Sequence, residues 1–152
     1  MSRADVNEIG ILESLSQALP QYCERGISVS QGFGSILRQK IDYFSAFEPK
    51  FRAKVEAAEA ALRSCEISRA SDPPESKRSC ASQASALAHA QALYSRYKAA
   101  MNSMANAYSS FKGSESRYFS SLNEIKTNVV PELNRLIQHL QEYATSANET
   151  KV

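Results

Sequence analysis

The sequence predicts an all-α protein, a long antiparallel helical hairpin with coiled-coil-like pairing. Three observations predict it. Two stretches of apolar residues recur at steps of three and four. They flank one strong break, Ser71-Asp72-Pro73-Pro74-Glu75-Ser76. The spacing on one side mirrors that on the other, so folding at the break pairs residues whose numbers add to about 145. Cys65 then faces Cys80, Phe51 faces Tyr94, Phe44 faces Met101 and Gly32 faces Gly113.

The first arm opens with Asp5 or Asn7 placed to cap a helix that shows Ile11, Leu15 and Leu19 on one face. Pro20 is expected to kink or end that helix. The segment 26–34 holds three glycines, with Ile27 and Val29 among serines, and reads as a kink or short connection. From Leu37 the seam runs through Ile41, Phe44, Phe47, Phe51, Val55, Ala58, Leu62 and Cys65. Its average step is about 3.5 residues, the coiled-coil period. Pro49 interrupts this run, and proline inside a helix costs about 3 kcal/mol unless the helix bends there.

Beyond the break the seam is more regular. Leu87, Ala90, Tyr94, Tyr97, Met101, Met104, Tyr108, Phe111, Glu115, Tyr118, Leu122, Ile125 and Val129 alternate steps of three and four. The register then shifts by one through Leu133, Ile137 and Leu140, where Pro131 sits. Glu115 is the polar exception. The expected layout is a single helical domain, 1–152. Arm one covers about 4–69, the tip loop 70–77, arm two about 78–146, and a frayed tail 147–152.

Two architectures use this pattern. One is a single long hairpin with a hinge at the layer of Gly32, Gly34 and Gly113; the other folds the arms back there into a four-helix bundle. Unbroken alternation through Gly113 favours the hairpin, whereas Glu115 and the glycine cluster favour folding back.

Composition narrows the function classes. Forty-three per cent hydrophobic residues, many of them alanine, with no tryptophan, suit a thin seam between helices better than a large globular core. Eighteen basic residues against sixteen acidic leave a net charge of +2, with no basic stripe of the kind a nucleic-acid binder presents. No apolar run approaches the roughly 18–20 residues of a membrane span. The polar start, Met1-Ser2-Arg3-Ala4-Asp5-Val6-Asn7-Glu8, does not resemble a signal peptide, so a cytoplasmic location or leaderless export is expected.

Cys65 and Cys80 share a layer close to the tip, where the helices can approach closely enough for a disulfide. Reduced thiols packed between converging helices are the other reading. Cys23 lies opposite Leu122 and reads as a core filler. His89 and His139 stand apart, and neither has a Glu three residues before it, so the paired motif of di-iron bundles is missing. No catalytic, cofactor-binding or metal site is expected. Gly32-Phe33-Gly34 lacks the lysine and the preceding strand of a phosphate loop. The sequon Asn148-Glu149-Thr150 falls in the expected tail. Tyr94, Tyr97, Met101, Met104, Tyr108 and Phe111 form an amphipathic, adaptable stripe, ordinary as core and suited to a partner helix.

Several short stretches carry a family likeness. Ala61-Leu62-Arg63-Ser64-Cys65 is followed, after Asp72-Pro73-Pro74, by Ser79-Cys80-Ala81 and an alanine-rich helix. Val130-Pro131-Glu132-Leu133 then leads to Leu136-Ile137-Gln138-His139-Leu140-Gln141-Glu142-Tyr143. In these stretches, within residues 35–143, the chain resembles bacterial helical-hairpin proteins encoded beside small ESX-like (WXG-type) secretion proteins. The resemblance implies a non-enzymatic partner in a secretion or toxin-delivery cluster. The chain has no tryptophan, so the Trp-x-Gly turn of true ESX proteins is absent.

The expected function is therefore helix-on-helix protein interaction, with a helical protein or a second copy (a dimer) as partner. A small-molecule substrate and nucleic acid are not expected. A membrane-surface bundle is the alternative, together with a structural spacer. The first would need basic residues gathered on one face, but Arg52, Lys54, Arg63, Arg69, Lys77 and Arg78 alternate with acids.

Overall fold

A computed structural model describes the backbone of residues 4–149 and the side chains of residues 8–146. The chain is all-α, an antiparallel helical hairpin, with no strand among the described residues. Helix α1 spans Ala4–Ser45, α2 Glu48–Ala70, α3 Ala81–Glu124 and α4 Val130–Glu149. A short 3-10 turn, Pro74–Ser76, lies in the tip, and a π-helical turn, Ile125–Val129, joins α3 to α4. The expected caps at Asp5 and Asn7, the sequon and the side chains of the expected tail lie outside the described residues.

The helices pack as two units. Unit one comprises the described residues of Met1–Ser35 and Phe111–Val152; unit two is Ile36–Ser110.

In unit two the expected seam is observed. Leu37, Ile41, Phe47, Phe51, Val55, Ala58, Leu62 and Cys65 are all half-buried, as are Leu87, Ala90, Tyr94, Tyr97, Met101, Met104 and Tyr108. Phe44 alone on this seam is exposed. The interruption near Pro49 is a true break: α1 stops at Ser45, and Pro49 falls in the first turn of α2. Proline suits that position, where a missing N–H would have no intrahelical partner.

Unit one corrects several expectations about the first arm. Ile11 and Leu15 do not face the partner helix; they are 66% and 46% exposed. The buried line is instead Ser16, Cys23 and Gly34, with Gly26 and Ser30 half-buried between them. Pro20 does not end the helix, and 26–34 is helical throughout and not a connection. Gly26 and Gly34 are places of close approach. A Cβ on Gly26 would lie 2.5 Å from the Tyr118 hydroxyl and 3.1 Å from Leu122, and one on Gly34 would lie 3.2 Å from the Phe111 ring. Small residues on α1 accept large ones from α3, and shape complementarity replaces apolar-on-apolar patterning.

The expected glycine layer divides in two. Gly34 is buried in the seam, but Gly32 and Gly113 point into open space and do not face each other across it. None of the described glycines has a positive φ, and α1 and α3 pass through all three as helix. Gly113→Ala is therefore expected to raise stability by about 0.5–1 kcal/mol, the helix-propensity gain. Chemical denaturation reads this directly, and a loss of stability would instead put a turn at Gly113.

The register shift near Pro131 has a structural cause. Proline cannot donate to the carbonyl four residues back, and its ring crowds it. The π-helical turn just before it widens the helix, with the Val130 N–H reaching back to the Ile125 carbonyl. One extra residue is absorbed. The seam accordingly moves from Leu122 and Ile125 to Val130, Leu133 and Ile137, leaving Val129 exposed.

Candidate interaction surface

Most of the aromatic stripe is committed within unit two. Phe51 stacks on Tyr97 with ring centroids 4.7 Å apart. The Tyr97 hydroxyl donates to the Phe44 carbonyl at 2.9 Å and lies 3.3 Å from that of Ser45. Those carbonyls belong to the last turn of α1, and the Phe44 carbonyl also accepts from the Phe47 backbone N–H at 3.1 Å, so Tyr97 ties the break to the opposite arm. Burial and the neighbouring Glu48 carboxylate push the Tyr97 hydroxyl pKa up. Tyr94 donates to Glu48 at 3.0 Å, and Arg52 donates to the same oxygen at 2.9 Å. The Tyr94 hydroxyl, then the Arg52 guanidinium, hold the Glu48 carboxyl below its ordinary range. Met101, Met104 and Tyr108 continue this seam half-buried, and Phe111 packs edge-on against Phe33 in unit one at 5.2 Å.

The tip is closed twice. A disulfide joins Cys65 and Cys80, with Cα atoms 5.9 Å apart. Around it the Asp72 carboxylate accepts from the Arg78 backbone N–H at 3.0 Å and from its guanidinium at 2.8 and 2.9 Å. Arg78 thereby holds the Asp72 carboxyl at a pKa of about 2. Cys23 is a free, fully buried thiol, as its place opposite Leu122 implied.

Glu115 is the polar layer of unit one, only 4% exposed. Its carboxylate accepts from the Ser30 hydroxyl at 3.2 Å and from the Lys112 ammonium. A buried carboxylate needs such partners to offset the cost of leaving water. His89 and His139 are exposed, and the described residues contain no cluster of three metal-ligating side chains.

What the seams leave over is a second apolar pattern. On α1, Leu15, Tyr22 and Val29 in unit one are exposed at every seventh position, and Ile36 and Tyr43 in unit two keep the same interval. On α4 and the turn before it, Val129, Leu136 and Tyr143 do likewise. The sequence reading missed this because it counted Ile11, Leu15 and Leu19 as the inward face. The seven-residue recurrence from Leu15 to Tyr43 was the available signal. No described helix is long and apolar enough to cross a membrane. Comparison of the chain with protein families, with curated proteins and with solved structures returns no match.

Proposed function

We propose that the protein is a non-enzymatic helix-on-helix interaction module, working as a partner or adaptor in an ESX-like secretion or toxin-delivery system. The observation that carries the reading is the exposed apolar recurrence on α1, Leu15, Tyr22 and Val29 in unit one, with Ile36 and Tyr43 at the same interval in unit two. Large apolar side chains scattered singly over a surface need no explanation, but a sustained seven-residue recurrence is the footprint another helix fits. The likeness of the 61–81 and 130–143 stretches to hairpin proteins of ESX-like clusters supports the choice of system. The Cys65–Cys80 bridge supports work in an oxidising setting, where such bonds persist.

Affinity purification from the native host tests the reading. Wild-type protein should recover a helical protein of the ESX-like cluster in stoichiometric amount, and Tyr43→Glu should reduce recovery at least tenfold while the circular-dichroism spectrum stays helical. Recovery that is equal for both proteins, or no recovery at all, would count against it.

A further inference from the structure

The two stripes of unit one share a positional rule. Leu15, Tyr22 and Val29 each stand one residue before a seam residue, Ser16, Cys23 and Ser30. Val129, Leu136 and Tyr143 each stand one residue before Val130, Ile137 and Ala144, the seam of the other helix. Consecutive helical residues point about 100° apart, so each stripe leaves its helix on one side of the seam. Antiparallel helices are related by a local two-fold axis perpendicular to their plane, and that axis carries the preceding position of one helix onto the preceding position of the other. Both stripes therefore emerge on the same flank of unit one.

The opposite flank, one residue after the seam, is polar. Glu24 follows Cys23 and pairs with Lys126 at 3.1 Å. Asn134 follows Leu133 and accepts from Ser16, and Gln141 follows Leu140 and donates to Glu13. One flank is stitched by polar pairs; the other presents these six apolar side chains to water, with Arg25, Glu132 and His139, one residue before Gly26, Leu133 and Leu140, exposed beside them.

We propose that the apolar flank of unit one docks against the same flank of a second copy of this chain, making a dimer with four helices at the contact. The proposal rests on the helix-interaction reading and adds self-pairing to it. Exposure supports it. Six large apolar side chains between 46% and 73% exposed, with Ile11 at 66%, make a larger exposed apolar set than side chains scattered singly over a monomer surface. Self-pairing also matches the chemistry. Both helices contribute one Leu, one Tyr and one Val at the same interval, and the exposed Arg25 and Glu132 beside them carry opposite charges, so two copies of the flank can complement each other as an isologous interface requires.

Light scattering on the full chain between about 5 and 200 μM tests this. The wild type should be dimeric at the upper end and dissociate on dilution. Tyr22→Glu and Leu136→Glu should each weaken the dimer at least tenfold with helicity retained, while Ser28→Glu, exposed but outside the stripe, should not. A wild type that is monomeric throughout overturns the proposal without reference to any variant, and so does a dimer that both stripe variants leave intact. A monomer that still captures a host protein in a Tyr43-dependent way overturns self-pairing and leaves the interaction module standing; a monomer that captures nothing overturns both.

Discussion

Leu122→Ala is expected to lower the unfolding free energy by about 2–5 kcal/mol, the range for emptying a well-packed leucine site. Leu122 is 3% exposed and lies against Gly26, across the seam from α1. The wall it meets has no side chain at Gly26 that could swing in to fill the void. Few described residues are buried outright, and Leu122, Cys23 and Ile137 belong to the same unit. Leu140→Ala, at a seam position that is 43% exposed, should cost much less. Denaturant titrations of the two variants give the comparison, and equal costs would mean that the register of unit one is misplaced.

Removing the tip disulfide should have an effect of similar size. Cys65 and Cys80 are 15 residues apart, and releasing a loop of that length costs about 3 kcal/mol in the chain-entropy model. Cys65→Ser and Cys80→Ser should each show the loss, and the double variant should show little more. Reductant should lower the wild type to the same level and leave the variants unchanged. Non-reducing peptide mapping should recover a 65–80 bridge with Cys23 as a free thiol. Mapping that finds Cys23 joined to either of the other two would contradict the mirror pairing.

The parts of the fold legible in the sequence are those where burial is done by large side chains. From Leu37 to Cys65 and from Leu87 to Ile125, steps of three and four mark the seam because Leu, Phe, Tyr, Met and Val fill it. Residues 8–35 depart from that rule. Their seam includes Ser16, Gly26, Ser30 and Gly34, which read as polar or helix-weakening, beside Cys23, while Ile11, Leu15, Tyr22 and Val29 point outward. Glycine spacing suggested a hinge because propensity alone treats glycine as a breaker; at Gly26 and Gly34 the missing Cβ instead admits Tyr118, Leu122 and Phe111. Pro20 does not end the helix, for a related reason. Propensity weighs the lost hydrogen bond, while packing of Ser16 and Cys23 on either side holds the helix through it.

The candidate surface was legible in part. The Tyr and Met stripe of α3 was visible, but its spacing could not say whether the partner was the other arm or another chain. Tyr97 decides its own case, because its hydroxyl donates to the last turn of α1. The outward recurrence on α1 became distinct only once the inward face was known, since Leu15 and Ser16 are neighbours and one residue separates surface from seam.

On the proposed function, partners meet the outward stripe and not the seam. Site-specific photo-crosslinking in the native host addresses this most directly, with a photoreactive phenylalanine placed at Tyr22, Tyr43 or Tyr97 in turn. Adducts to another protein chain are predicted at positions 22 and 43 and not at position 97, whose side chain stacks on Phe51. Adducts confined to position 97, or none at any of the three, would rule the outward stripe out as the contact surface.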